Sequence, residues 1–90
     1  MLYFPLEEQR KVVNMQDEEF LKVLKIFGRN VRKNREKVNM TIKELSEKTG
    51  ISARYLNRIE HGDCAGISTS HIFKLAERLG TTPYKLCEGI

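Results

Sequence analysis

Residues 41–61 read TIKELSEKTGISARYLNRIEH, and this stretch decides the fold because it carries the start and stop signals of two short helices. Thr41 and Glu44 form a capping box, in which a hydroxyl and a carboxylate each bind a backbone amide left free at a helix start. Gly50 tolerates the positive φ that ends a helix, and Ser52 is a good cap for the next one. The stretch therefore predicts a helix, a tight turn and a second helix that ends near residue 61.

The same stretch holds what a steep crossing of two short helices requires, namely a small residue at the crossing and apolar residues in the corner. Ser46 is the small residue, and the apolar residues are Leu45, Ile51, Leu56 and Ile59. The spacing from Ser46 through Gly50 to Leu56 and Ile59 is typical of a helix-turn-helix, here at 42–61. The alternative is a pair of packed helices that binds no ligand.

A long helix is predicted before this motif, from about Glu18 to Lys37, with Asp17 as its N-cap and Asn39 as the left-handed residue that ends it. Its core stripe recurs at helical spacing and consists of Phe20, Leu24, Phe27 and Val31. Further apolar residues lie off the stripe, namely Leu21, Val23 and Ile26. We expect residues 1–16 or a second subunit to cover them.

Two more helices are predicted after the motif and its loop at 62–67. Ser68 or Thr69 caps the fourth helix, which Gly80 ends, and its buried face consists of Ile72, Leu75, Ala76 and Leu79. Thr82 caps a short fifth helix over Pro83 to Cys87. Since no segment shows a convincing strand pattern, we expect an all-α fold of five helices with a short N-terminal extension.

Size and charge narrow the possible functions. The chain has 90 residues, which suits one domain and excludes a large enzyme with a deep cleft. Residues 1–19 hold two bases and five acids, whereas residues 20–90 hold fourteen bases and seven acids. We therefore divide the chain into an acidic extension at 1–19, which runs into the first helix, and a basic domain at 20–90 that suits a polyanionic partner.

Neither a membrane nor a cofactor is predicted. No apolar run reaches the ~20 residues that cross a bilayer, and the N-terminus lacks the pattern of a secretory signal, so we expect a cytoplasmic protein. Cys64 and Cys87 are too far apart in sequence for a zinc motif and are expected to be free thiols. His61 and His71 stand beside no cysteine or acid pair, which argues against a metal site and an enzyme.

The sequence resembles the helix-turn-helix DNA-binding domains of the phage repressor and Cro type, also called the Xre family, over about residues 24–87. Outside the 42–61 motif, the resemblance rests on Phe27-Gly28, Val31, Arg35, Met40, Gly62, the helix from Ser68 to Leu79 and Pro83 to Leu86. It implies a five-helix, lambda-repressor-like domain whose third helix enters the major groove of double-stranded DNA.

On this resemblance, the exposed positions of the third helix read base edges, and they are Ala53, Arg54, Asn57 and Arg58. Arginine can bind guanine O6 and N7 bidentately, asparagine pairs with adenine N6 and N7, and an alanine methyl can touch the thymine methyl. The alternative for Arg54 and Arg58 is a solvated basic face.

Phosphate contacts are expected from helix starts and flanking polar residues, namely Thr41, Lys43, Ser52, Tyr55, His61 and Lys74. Ile42 departs from the family, because many relatives carry a DNA-contacting glutamine there, and that contact is lost. The resemblance also implies a structural salt bridge between Arg35 and Glu60. The alternative is an exposed pair that contributes only about 0–1 kcal/mol.

The sequence thus predicts a small transcriptional regulator that binds a two-fold operator as a homodimer and represses. A single module buries little surface, and pairing doubles its contact with DNA. The alternative function is a protein-interaction module of the antitoxin or anti-regulator type, with the acidic, apolar N-terminal segment as the surface that binds a regulatory protein partner. No cofactor is expected for either function.

Overall fold

A computed structural model describes residues 18–90, and every regular element in that range is a helix. The five helices are α1 (Glu18–Lys37), α2 (Ile42–Thr49), α3 (Ala53–Glu60), α4 (Thr69–Arg78) and α5 (Pro83–Leu86). This confirms the predicted all-α fold. The predicted cap at Asp17 and the role given to residues 1–16 lie outside the described residues, and the domain boundary at 19/20 stays a prediction.

The helix-turn-helix begins and ends at the residues that its sequence indicates. The Glu44 amide donates to Thr41 Oγ1 over 3.0 Å, and the Thr41 amide donates to Glu44 Oε1 over 3.1 Å, which completes the capping box at the start of α2. Gly50 ends α2 with a φ of 76°. The Tyr55 amide donates to Ser52 Oγ over 3.1 Å and thereby caps α3.

The other helix ends also follow the predicted local rules. Asn39 adopts a φ of 55° after α1, as expected for the residue that ends this helix. Ser68, rather than Thr69, caps α4 by accepting from the His71 amide over 3.2 Å. Thr82 caps α5, and this helix stops at Leu86, one residue before the predicted end.

One hydrophobic core joins the helices. Val31 of α1 is fully buried. The same core holds further side chains of α1 and side chains from every other helix and from the turns, namely Leu24, Phe27, Leu45, Ile51, Leu56, Ile59, Cys64, Leu75, Ala76, Leu79 and Leu86. Phe20 and Ile72 pack against this core half-buried. Leu21, which lies off the core stripe, is 44% exposed.

The two cysteines differ in their surroundings, although both are free thiols. Cys64 is only 1% exposed, and burial raises the pKa of its thiol. It is therefore a small apolar side chain of the core. Cys87 is exposed after α5.

The backbones of α1 and α3 meet at Gly28, which lies in the middle of α1. A Cβ atom at this position would lie 2.2 Å from the carbonyl oxygen of Ile59 and 2.9 Å from that of Glu60. Only glycine therefore allows α1 to lie this close to the last turn of α3. This contact fixes the position of α3 on the side that faces the core.

Candidate nucleic-acid interface

The turn between α2 and α3 is held by two hydroxyl groups. Ser46 Oγ donates to the carbonyl oxygen of Ile51 over 2.6 Å, so the small residue at the crossing also links α2 to the turn before α3. Thr49 is 6% exposed, and its hydroxyl donates to the Leu45 carbonyl over 2.7 Å and accepts from the Ile51 amide over 3.2 Å. This role of Thr49 was not predicted, although a polar residue directly before the turn glycine is a signal for it.

The core contacts of α3 decide which of its side chains face outward. Leu56 and Ile59 are fully buried, which leaves the side of the helix that carries Ala53, Arg54, Asn57 and Arg58 exposed to solvent. An open depression of about 220 Å³ on this side is lined by Arg54, Asn57, Arg58, His61 and Asp63. The structure therefore brings three of the predicted base-reading residues and His61 to one surface.

Arg58 has partners within the chain that the sequence did not predict. Its Nε donates to Asp63 Oδ2 over 3.0 Å, and its guanidinium carbon lies 5.7 Å from the centre of the Tyr55 ring. The hydrogen bond to Asp63 is the main reason why the pKa of Arg58 is raised. A cation at this distance from a ring face is attracted to it, so the guanidinium is bracketed between a carboxylate and a ring.

Arg35 and Glu60 form the salt bridge that the family resemblance implies. Arg35 Nε donates to Glu60 Oε2 over 2.7 Å and its Nη2 donates to Oε1 over 3.0 Å, which is a bidentate pair. The two side chains are only 14% and 4% exposed, so the alternative of an exposed surface pair does not hold. The hydrogen bonds to Glu60 raise the pKa of Arg35. The third nitrogen, Nη1, donates to the carbonyl oxygen of Met40 over 2.8 Å and so links α1, α3 and the chain before α2.

The predicted phosphate-binding residues at the helix starts are all exposed. The hydroxyls of Thr41 and Ser52 accept capping bonds and lie at the N-termini of α2 and α3. Lys43 lies in the first turn of α2 with its side chain in solvent. These three residues lie at the N-terminal ends of α2 and α3, where backbone amides and the helix dipole attract an anion.

The other predicted phosphate-binding residues differ in exposure and in location. Tyr55 is half-buried, and its ring meets the edge of His71 with the ring centres 5.7 Å apart. His61 Nδ1 lies 2.7 Å from the carbonyl oxygen of Asn57, which fixes the ring at the C-terminus of α3. Lys74 is exposed on α4 and lines a different groove, beside Phe73, so the structure does not bring it to the surface that holds the reading residues.

Residues 18–90 contain no cluster of three side chains that could hold a metal ion. Within the same range, none of the helices has both the length and the apolar character that spanning a bilayer requires.

A short helix with an exposed polar face, held against a second helix by a tight turn, defines a helix-turn-helix DNA-binding domain. The sequence model of the family described as helix-turn-helix matches residues 31–86. The chain therefore belongs to this family, which is of the phage repressor or Xre type, and it is a DNA-binding transcription regulator.

Among solved structures, the chain is similar to the restriction-modification controller protein C.AhdI from Aeromonas hydrophila, with 28% sequence identity and a TM-score of 0.66. The similarity covers 70% of this chain and 94% of the C.AhdI chain. No curated protein matches the chain.

Proposed function

We propose that the chain binds a specific double-stranded operator as a homodimer and represses transcription, with α3 as the helix that reads the sequence. The observation that carries this proposal is the division of α3 into two faces. Leu56 and Ile59 anchor one face in the core, and the opposite face presents Arg54 and Asn57 to solvent beside the paired Arg58.

Each exposed side chain suits one kind of base edge. Arg54 and Arg58 match guanine, whose O6 and N7 accept two parallel hydrogen bonds. Asn57 matches adenine N6 and N7, and the methyl group of Ala53 matches the thymine methyl group. A solvated basic face would not need an asparagine and an alanine beside its arginines, so the mixture favours reading over simple attraction.

Contacts with phosphates would orient α3 in the groove. Thr41, Lys43 and Ser52 lie at the starts of α2 and α3, where they can bind the backbone on either side of the bases that α3 reads. Tyr55 and His61 would contribute from α3 itself. Lys74 is the most distant candidate, and we assign to it at most a contact with flanking DNA.

The homodimer is supported by apolar side chains that lie exposed on the described part of the chain. Phe73 on α4 is 63% exposed and Tyr84 on α5 is 87% exposed, and these two helices pack against each other. Large aromatic side chains lower the free energy of association when they become buried. A second copy of the chain is the partner that a two-fold operator requires, and binding it would double the contact with DNA.

Repression is the regulatory role that we propose for this domain. A dimer bound across a promoter blocks access to it without any surface beyond the DNA interface, so repression is the simplest regulation that this domain can perform. Similarity to a protein described as a restriction-modification controller supports a regulatory role.

The test begins with selection of bound duplexes from a random library at physiological salt. Arg54→Ala and Asn57→Ala should each cost about 1–3 kcal/mol on the selected site and relax the preference at one or two base pairs. Lys43→Ala should weaken binding to all sequences nearly equally and flatten the dependence of log affinity on log salt by about one unit. Equal selectivity after loss of both Arg54 and Asn57 would show that another element reads the sequence, whereas no enrichment at all would favour the protein-interaction alternative.

The dimer has its own test. Phe73→Ser removes an aromatic ring that is 63% exposed and should lower the mass measured by sedimentation towards that of one chain. In a dimer, the half-sites of a palindromic operator should be centred about 10 base pairs apart, so that two α3 helices enter successive major grooves on one face. An unchanged mass for Phe73→Ser would refute this interface.

A further inference from the structure

We propose that Asp63 is a specificity-determining residue, which acts by positioning the guanidinium of Arg58 for a base edge and by keeping it away from phosphates. The inference rests on the proposed function, because it requires that α3 lies in the major groove. Asp63 follows α3 in the loop and has no place among the reading or phosphate-binding residues assigned above.

The backbone places Asp63 over Arg58. Gly62 has a φ of 81°, and the chain turns back so that the Asp63 amide donates to the Arg58 carbonyl oxygen over 2.9 Å. A Cβ atom at Gly62 would lie 2.8 Å from Lys25 Cγ and 3.0 Å from Lys25 Cα, so the turn is also held against α1. Arg58 and Asp63 are therefore joined twice, once through the backbone and once through the side chains.

The side-chain bond to Asp63 uses Nε and leaves the two Nη groups of Arg58 for another partner. Asp63 binds Nε, while within the described part of the chain the two terminal Nη groups of Arg58 make no hydrogen bond. Bidentate recognition of guanine can use the two Nη groups. Tyr55 limits the guanidinium on another side, with 5.7 Å between Arg58 Cζ and the ring centre. The pair therefore presents the Nη edge in one orientation.

The charge of Asp63 also acts against unspecific contacts. An unpaired arginine at the rim of the groove binds any phosphate that it can reach, and such contacts carry no sequence information. The carboxylate of Asp63 is 71% exposed beside the guanidinium, which is 54% exposed. It already neutralises Arg58 and repels a phosphate that approaches the same edge, so Arg58 contributes mainly where a guanine is present.

The test compares Asp63→Asn with the wild-type chain on the selected operator, on single-base variants of it, and on unrelated DNA. We expect the preference at the base pair read by Arg58, identified as the one that Arg58→Ala no longer distinguishes, to fall by about 3- to 30-fold. Affinity for unrelated DNA should stay equal or rise, and the slope of log affinity against log salt should steepen by about one unit as Arg58 moves to a phosphate. The melting temperature should stay unchanged, since both side chains are largely exposed.

Glu36→Gln is the matched control, because Glu36 is also an exposed carboxylate paired with an arginine, Arg32, at 3.6 Å. It should leave the base preference and the salt slope unchanged. In an Arg58→Ala background, Asp63→Asn should have no further effect on the preference.

Three results would overturn the inference. The first is an equal gain of affinity on all DNA with the preference intact, which would make Asp63 only a repelling charge. The second is a loss of preference at a base pair that Arg58→Ala does not affect, which would mean that Asp63 itself contacts a base. The third is an Arg58→Ala variant that keeps the preference of the wild-type chain at every base pair, which would mean that Arg58 reads no base. A wild-type chain without any sequence preference would instead reject the proposed function.

Discussion

Replacing Gly28 with alanine tests the contact between α1 and α3 most directly. The added Cβ atom would lie 2.2 Å from the Ile59 carbonyl oxygen and 2.9 Å from that of Glu60. Both atoms belong to the backbone of α3, so no rotamer change can relieve the overlap. Either α1 or the last turn of α3 has to move.

Two opposing effects set the magnitude. Alanine stabilises a helix interior by about 1 kcal/mol relative to glycine. Overpacking costs about 1–3 kcal/mol, and the upper end applies at Gly28 because the neighbours are backbone atoms. The net loss in the free energy of unfolding is therefore about 2 kcal/mol. For a domain of this size, that corresponds to a melting temperature lower by roughly 8–16 °C.

Thermal and urea unfolding followed by circular dichroism would measure the loss. Gly66→Ala is the matched control, because a Cβ atom at Gly66 meets nothing within 4 Å and Gly66 is not among the residues with positive φ. We expect this control to be neutral or slightly stabilising. A Gly28→Ala variant with an unchanged or higher melting temperature would refute the reasoning, because helix propensity alone would then explain the position.

Three more predictions concern the buried ion pair, the capping box of α2 and the N-terminal segment. Glu60→Ala leaves Arg35 charged and nearly buried and should lower the unfolding free energy by about 3–5 kcal/mol in urea titrations; a loss below about 1 kcal/mol would contradict this. Hydrogen bonds from Thr41, mainly that of its backbone amide and then that of its hydroxyl, lower the pKa of Glu44 from its ordinary value of 4.5. The capping box therefore stabilises α2 above that pH, and this stabilisation is lost as the pH falls through the lower pKa of the folded chain. Between pH 6 and about pH 3, the melting temperature of Glu44→Gln should therefore fall less than that of the wild-type chain. Identical pH profiles of the two melting temperatures would exclude this contribution. Deleting residues 1–16 should change the number of chains per particle measured by sedimentation, the melting temperature or the DNA affinity, since Leu21 is 44% exposed in α1. If none of the three changes, the segment is a passive tail.

Features that depend on neighbours in sequence could be predicted well. The capping box at Thr41 and the left-handed residues Asn39 and Gly50 are decided within three or four positions, because each satisfies a backbone group of its own helix end. Burial of Leu56 and Ile59 followed from their spacing. The exposed face of α3 was therefore predictable once its core face was assigned.

Features that depend on how the helices meet could not be read from local patterns. Arg58 was predicted as an exposed reading residue, and its pairing with Asp63 was not predicted. The turn at Gly62 brings Asp63 back over Arg58, and no helix periodicity extends through a left-handed glycine. The closeness of α1 to α3 was hidden as well. Gly28 carried the family resemblance, yet only the structure shows that its missing side chain leaves space for two carbonyl oxygens.

The contacts that set the orientation of α3 come mostly from α1, which carries none of the proposed base-reading residues. Gly28 lies against the last turn of α3, Arg35 holds Glu60 at the same end, and Lys25 lies against the turn at Gly62. All three contacts fix the C-terminal end of α3, while its N-terminal end is held by Ser52 and the turn after α2. A substitution on α1 that weakens these contacts would loosen the C-terminal end of α3. It would therefore displace Arg58 and Asp63 more than Ala53 or Arg54. Such a variant should therefore lose preference at the base pair read by Arg58 before it loses affinity for DNA in general.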